Sequence, residues 1–324
     1  MARFTLTQLE YMCAVAETGS LSGAATKLSV SSAAVSAGIT ALERSLKTQL
    51  VIGRKSQGTT LTAAGQHFYS EAKNILRMSD EAELSLYGEP EELVGPLAVG
   101  CFPTLAPTVL PAATKYFSEH HPRVTVNYTI GAQQQLIQKL ILHELDCVIL
   151  YDMYLPEGLQ KELLTMAAVY VMVASTHPAA RKSAVTLKEL ESEPLVLFDA
   201  DPASTHSFSI FQRAGIQPRI VYRGTEYELI RGMIAQGLGY SLMIHRPAHN
   251  LTYEGLEVAY VPIRPAIPDE SIVGVWPANM NLNRRARKFI EVAYRVLEKS
   301  PLNSHPQRQG QVSPGTILGP LDDA

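Results

Sequence analysis

Residues 20–46 read SLSGAATKLSVSSAAVSAGITALERSL, and the spacing inside this stretch decides the fold of the amino-terminal segment. Ser20 is placed to cap a short helix, LSGAATKL. After a turn at Ser29 and Val30, Ser31 is placed to cap a longer helix whose Val35, Ile39, Leu42 and Leu46 recur on one face. Upstream, Thr7 and Glu10 have the T-x-x-E spacing of a capping box, and Leu9, Met12, Cys13 and Ala16 form the apolar face of a first helix that stops near Gly19. Two short helices joined by a three- or four-residue turn form a helix-turn-helix, whose second helix can enter the major groove of DNA. Small three-helix bundles that never touch DNA share this spacing, so both readings stand on spacing alone.

Downstream, residues 62–87 contain no proline and place Ala64, Phe68, Ala72, Ile75, Ala82 and Leu86 at helical steps. One helix over this stretch extends about 39 Å, longer than a small domain needs, so its stripe is expected to meet a second copy of the chain, the alternative being packing against the chain's own domain. Gly88, Glu89, Pro90, Glu91 and Glu92 then read as a linker. From Leu93 the pattern changes to short strands alternating with helices. Strands are expected at Leu97–Cys101, Val124–Ile130 and Cys147–Tyr151, with helices near Leu105–Phe117 and Gln133–Leu142; Pro111 should kink or interrupt the first of these helices. A second series has strands at Val169–Ala174, Leu195–Phe198, Ile220–Tyr222 and Tyr240–Met243 and helices near Phe208–Ala214 and Glu226–Gln236. A final strand at Ile272–Trp276 and an amphipathic helix at Arg284–Glu298 return to the first series. Strand, helix, strand in this order implies a mostly parallel sheet.

The expected division is therefore residues 1–61, a linker helix and hinge at 62–92, and an α/β region at 93–299. Within that region 93–163 and 267–299 form one subdomain and 164–266 the other, with crossings near Leu163–Ala167 and Pro262–Pro268. Residues 300–324, with four prolines and three glycines, read as a disordered tail.

Composition narrows the function. The 324 residues are 46% hydrophobic and 18% charged with a formal net charge of −3, which excludes a chain-wide basic coat. The basic excess is local: up to residue 61, Arg3, Lys27, Arg44, Lys47, Arg54 and Lys55 face Glu10, Glu17 and Glu43. Cys13, Cys101 and Cys147 are odd in number and widely spaced, which fits neither a disulfide framework nor a zinc site. The start, MARFTLTQLEYM, has no apolar signal-like run, and no segment approaches the ~20 apolar residues of a membrane span. A cytoplasmic protein with no membrane partner is expected.

In register from Leu6 to Gly65, the sequence resembles the amino-terminal domain of the LysR-type transcriptional regulators. The resemblance is carried by Leu9, Val15 to Ser20, Ala24, Ala25, Leu28, Val30, Ser31, Ala34, Val35, Ser36, Ile39, Leu42, Glu43, Leu46, Leu50, Arg54, Leu61, Thr62, Ala64 and Gly65. It implies a winged helix-turn-helix, a long linker helix and a two-subdomain α/β effector domain resembling periplasmic solute-binding proteins. The helix from Ser31 to Ser45 then reads the major groove of double-stranded DNA, and the wing is the hairpin Val51–Leu61. The DNA-binding residues implied are Ser31, Ser32, Ala33, Ser36, Ala37 and Thr40 on the helix and Arg54, Lys55 and Ser56 on the wing, with Gln57 and Thr59 near them. Where family members often carry Gln, Pro, Arg and Gln, this chain has Ser32, Ala33, Ala37 and Gly38, so base reading rests on small hydroxyls, alanine–thymine methyl contact and DNA shape. Lys47 and Val51 replace a Gly and a Phe common in the family.

The resemblance also implies a small-molecule effector bound between the two α/β subdomains, and a homodimer that pairs into a homotetramer. Loops after the strands supply the candidate effector contacts Cys101, Pro103, Thr104, Gln133, Phe198, Thr205 and Thr225; Thr104 reads equally as a helix cap. Asp152, Asp199, Asp201 and Glu226 make the same rim acidic. No enzyme signature is present, and neither a cofactor nor a metal is expected. Nothing places a base beside Cys101, His120, His121 and His143 read as surface residues, and Gly237 and Gly239 read as a helix end and turn. The alternative is a cytosolic small-molecule receptor that does not bind specific DNA.

Overall fold

The computed structural model describes residues 3–54, 58–84, 92–244 and 246–300. The chain divides into two compact units, Met1–Leu164 with Ala200–Pro202 and Ile272–Val296, and Thr165–Asp199 with Ala203–Ser271 and Leu297–Ala324.

The first unit opens with α1 (Leu6–Thr18), α2 (Leu21–Leu28) and α3 (Ser32–Leu46), then the hairpin β1 (Val51–Arg54) and β2 (Gly58–Leu61), then α4 (Ala63–Leu84). Leu9, Met12, Ala24, Val35, Leu42 and Ala72 are buried in one cluster that joins the three short helices to α4. A five-stranded sheet follows, built from β3 (Gly95–Cys101), β4 (Val124–Ile130), β5 (Cys147–Tyr151) and β6 (Leu159–Ala167), with β12 (Glu270–Pro277) returning to it. Its order is β4-β3-β5-β12-β6. It carries α5 (Ala106–His120), α6 (Gln133–Ile141) and the late helix α9 (Arg284–Glu298). The five residues of β5 are all buried, as a strand covered on both faces requires, and Phe117 of α5 lies 6.5 Å from Phe289 of α9.

Pro111 does not interrupt α5, which continues from Ala106 to His120. An interior proline costs about 3 kcal/mol, and burial of Val109, Leu110, Ala113 and Phe117 on the same helix offsets it.

The second unit contains β7 (Tyr170–Ala174), β8 (Pro194–Phe198), α7 (Ala203–Arg213), β9 (Arg219–Gly224), α8 (Tyr227–Ala235), β10 (Ser241–Met243) and β11 (Val258–Pro262). Val171, Val173, Leu195, Phe211, Tyr240 and Val261 form its core. The expected parallel arrangement holds for β3 with β4 and β5 and for β8 with β9. It does not hold for β12, which runs antiparallel to β5, or for β7, which runs antiparallel to both β10 and β11. Leu163–Ala167, read as a crossing, is the end of β6, whereas Pro262–Pro268 contains only the last residue of β11 and joins it to β12.

Candidate functional site

The helix-turn-helix is set by its caps. Ser20 Oγ accepts from the Gly23 amide at 3.0 Å and Ser31 Oγ from the Ala34 amide at 3.1 Å, at the two positions the sequence indicates. The box on α1 lies two residues earlier than expected: Thr5 and Gln8 reciprocate, with the Gln8 side chain accepting from the Thr5 amide at 2.9 Å. Starting there lets Phe4 pack edge-on against Phe68 of α4 at 5.7 Å. Between α2 and α3, Ser29 takes a left-handed φ of 57° and closes the turn.

Burial sorts α3 into two faces. Val35, Ile39 and Leu42 are buried, while Ser31, Ser32, Ala33, Ser36, Ala37 and Thr40 are exposed. Six of the nine expected DNA contacts therefore share one end and one face of the helix. Thr40 Oγ1 donates to the Ser36 carbonyl at 2.9 Å, which turns its lone pairs outward as acceptors. Gly38 does not belong to this face. It is half-buried against α1, where an added Cβ would meet Tyr11 Cδ2 at 2.4 Å, so its lack of a side chain serves helix packing.

The wing is pinned from three sides. The Thr59 amide donates to the Gly19 carbonyl at 2.7 Å, tying β2 to the end of α1. Glu43 Oε1 accepts from the amides of Leu50 and Val51 at 2.7 and 3.0 Å, which fixes the entry into β1. Gly65 lets α4 pass so close that a Cβ there would lie 2.0 Å from the Leu50 carbonyl oxygen. Lys47, at the end of α3, holds a left-handed φ of 54°, the conformation for which a glycine is the usual choice. Arg54 ends β1, paired in register with Gly58; Lys55, Ser56 and Gln57 lie outside the described residues.

Helix α4 buries part of the expected stripe, Phe68, Ala72 and Ile75, within its own unit. Tyr69 and Ala72 are buried, Phe68 and Ile75 half-buried, and Ala64 and Ala82 exposed, so the face turned to α1 centres on Gly65, Tyr69 and Ala72. Leu86 and the Gly88–Glu91 part of the linker lie outside the described residues, as do residues 301–324 of the tail. Glu17 joins α1, α2 and α4: its carboxylate pairs with Lys27, with Lys73 Nζ at 3.1 Å and with the Tyr69 hydroxyl at 3.2 Å. Burial pulls this carboxyl upward, but the hydrogen bonds from Lys27 and Lys73 outweigh burial and hold it below the usual carboxylate range.

In the first unit, the expected effector residues cluster beyond β3. Thr104 and Gln133 are buried polar side chains. Thr104 Oγ1 lies 3.2 Å from the Tyr151 hydroxyl, whose pKa burial raises. Gln133 donates to the Met153 carbonyl, leaving its buried Oε1 without a hydrogen-bond partner among the described residues. Pro103 is half-buried beside them. Cys101 is fully buried, its thiol raised by burial, and packs in the core. Tyr151 escapes sequence reading because it ends an otherwise apolar strand.

In the second unit, Phe198 is buried edge-on to Tyr227 at 6.2 Å, Thr205 is exposed on the first turn of α7, and Thr225 is exposed between β9 and α8. The acidic rim is partly neutralised: Asp152 pairs with Lys161 at 2.6 Å in the first unit and Asp199 with Arg223 at 3.2 Å in the second. His120 is exposed and His121 half-buried, but His143, expected at the surface, is 9% exposed, because the end of α6 turns it inward with a left-handed φ of 54°. Among the described residues no helix is long and apolar enough to cross a membrane.

Comparison with known proteins gives two family matches. Residues 6–66 match the model of the bacterial regulatory helix-turn-helix protein, lysR family, and residues 90–298 match that of the LysR substrate binding domain. The chain is 29% identical over 289 residues to the HTH-type transcriptional regulator YnfL of Escherichia coli, covering 88% of this chain and 96% of that protein. It is 27% identical over 286 residues, 87% and 92% of the two chains, to the E. coli DNA-binding transcriptional dual regulator OxyR. Among solved structures, HinK, a LysR family transcriptional regulator from Pseudomonas aeruginosa, aligns at a TM-score of 0.60 and 31% identity over 91% of this chain and 98% of its own.

Proposed function

The chain belongs to the LysR family of transcriptional regulators, and on that premise we propose how it reads DNA and what governs it. It is a DNA-binding regulator with a helix-turn-helix and an effector-binding α/β domain. Ser32, Ser36 and Thr40 read base edges, Ala33 and Ala37 meet thymine methyls, and Arg54, Lys55 and Ser56 hold phosphates. The observation that carries this assignment is the exposed small-residue face of α3, backed by buried Val35, Ile39 and Leu42. With no long side chain on that face, discrimination depends on close approach of the helix to the groove and on DNA shape.

A small-molecule effector acts on the α/β domain, with Thr104 and Gln133 as its polar contacts in the first unit; the buried Gln133 Oε1 favours an effector with an N–H or O–H donor. Phe198, Thr205 and Thr225 are the contacts we assign in the second. The ligand acts by binding one arrangement of the regulator better than another. The protein works in the cytoplasm as a homodimer that pairs into a homotetramer. Exposed apolar residues on α4 and β4 support self-association: Met78 is 59% and Tyr128 54% exposed. The regulator performs no catalysis and carries no resident cofactor. A receptor without DNA binding is not favoured, since the helix-turn-helix model matches residues 6–66. Related proteins are named hydrogen peroxide-inducible genes activators; here all three cysteines are buried, which favours a non-covalent effector.

Fluorescence anisotropy tests the reading, comparing DNA from upstream of the regulator's own gene with scrambled DNA over a salt series. Binding that falls linearly on a log–log salt plot and favours the native fragment by about 10³ supports it. Equal, weak affinity for both fragments, with and without candidate effectors, would remove its basis.

A further inference from the structure

The buried imidazole that the sequence misplaces opens onto a cavity. A cleft of about 430 Å³ lies within the first unit, where the last turns of α4 face the corner between α6 and β5 and the start of α9. Arg77, Asp80 and Glu83 of α4, His143 and Asp146 of the corner, and Arg285 of α9 line it. It does not include Thr104 or Gln133.

Among the buried nitrogens of this wall, His143 Nδ1 and Arg77 Nε have no hydrogen-bond partner among the described residues. His143 is nine-tenths buried and sits on a backbone fixed at a left-handed φ. Burial and the charge of Arg77 lower its pKa, so the ring is neutral and Nδ1 carries its proton when an acceptor faces it. Arg77 donates from Nη2 to Asn74 Oδ1 at 3.0 Å. Orphaned buried donors are rare in folded proteins because each costs its full desolvation. An acceptor supplied by a ligand satisfies both.

The acidic groups of the same wall fall into two sets. Asp146 is committed to structure, accepting from the Ala98 amide at 2.8 Å and from Asn283 at 2.7 Å, and Glu144 pairs with Lys139 at 2.8 Å. Asp80 and Glu83 are exposed at the mouth, one turn apart on α4. They repel a plain anion and accept an ammonium group. We propose that this cleft binds a small amino-carboxylate, its carboxylate on Arg77 and His143 and its ammonium on Asp80 and Glu83.

The ligand would brace the linker helix against the α/β core, and its effect on DNA binding rests on the regulatory reading above; binding itself does not. Calorimetry on the full chain without DNA therefore tests the site separately. The probes are glycine, L-alanine and L-glutamate, each against the matched carboxylate lacking the amine: acetate, propionate and glutarate. At least one amino acid should saturate in the micromolar to low-millimolar range, with its matched carboxylate at least tenfold weaker. Arg77→Gln should weaken the amino acid at least tenfold, while Asp80→Asn, an exposed change that leaves the melting curve intact, should erase the preference over the plain carboxylate. Thr104→Val, outside the cleft, should leave this binding unchanged. Failure of all three amino acids to saturate overturns the proposal, as does equal affinity for the deaminated probes. Binding indifferent to Arg77→Gln and Asp80→Asn but lost in Thr104→Val also overturns it, by placing the ligand elsewhere.

Discussion

A methyl group added at position 38 would sit 2.4 Å from the Tyr11 ring, and that distance explains a residue that propensity alone counts as a defect. A glycine inside a helix costs about 1 kcal/mol relative to alanine, but here it sets how closely α3 rests on α1. Gly38→Ala should destabilise the protein by about 1–3 kcal/mol through overpacking, despite its better helix propensity. Adding Tyr11→Ala should recover part of that loss, and a double-mutant cycle by urea melts checks the coupling. Full additivity would show that the two residues do not meet. Glu17 carries a pH dependence. Its folded pKa lies below the ordinary 4.5, so its contribution is present above that value and is lost as pH falls through the folded value. Glu17→Gln should cost about 0.5–1 kcal/mol near neutral pH, and the gap from the wild type should close as pH falls through the folded value. A gap that stays constant with pH would assign the cost to packing.

At the scale of elements, the capped helices were legible and the returning strands were not. Ser20 and Ser31 announce α2 and α3 because a hydroxyl before an apolar period has one obvious use. Two overlapping patterns, Thr5-x-x-Gln8 and Thr7-x-x-Glu10, compete at α1, and the tertiary contact of Phe4 with Phe68 selects the first. β6 is masked by Lys161 and Glu162 in its exposed half, where only the end is buried. β11 ends at Pro262, where the sequence reads as the start of a crossing. The wing shows how one side chain serves a whole element: Glu43, among the residues that carry the family resemblance, accepts the two amides that begin β1. Glu43→Ala should cost about 1.5–3 kcal/mol, speed hydrogen exchange at Leu50 and Val51, and weaken all DNA sequences alike. Ser36→Ala should instead alter preference between sites by about 1 kcal/mol or more with little change in melting temperature. Equal loss on every site for both variants would contradict the role given to Ser36.

For the whole chain, the candidate sites were legible as far as residue type and loop position reveal function, and illegible where burial decides it. Thr104 and Gln133 were singled out because they follow strands, and they are buried polar side chains; Cys101 follows the same rule and yet belongs to the core. The same burial governs reactivity. Attack on peroxide or a disulfide needs thiolate and access. Burial pushes the Cys13 thiol up to about 12, with Glu17 adding to it, and holds Cys101 and Cys147 above their ordinary value. At pH 8 a thiol of pKa about 12 is ionised in roughly one molecule in ten thousand, against about one in four for an exposed cysteine. In the native protein, Ellman's reagent should therefore react slowly, at a rate set by opening of the fold, and in denaturant it should titrate all three thiols. Submillimolar hydrogen peroxide should leave DNA affinity unchanged within about twofold. One thiol reacting within seconds in the native state, with a matching change in DNA affinity, would show that the fold exposes a cysteine and that the effector includes an oxidant.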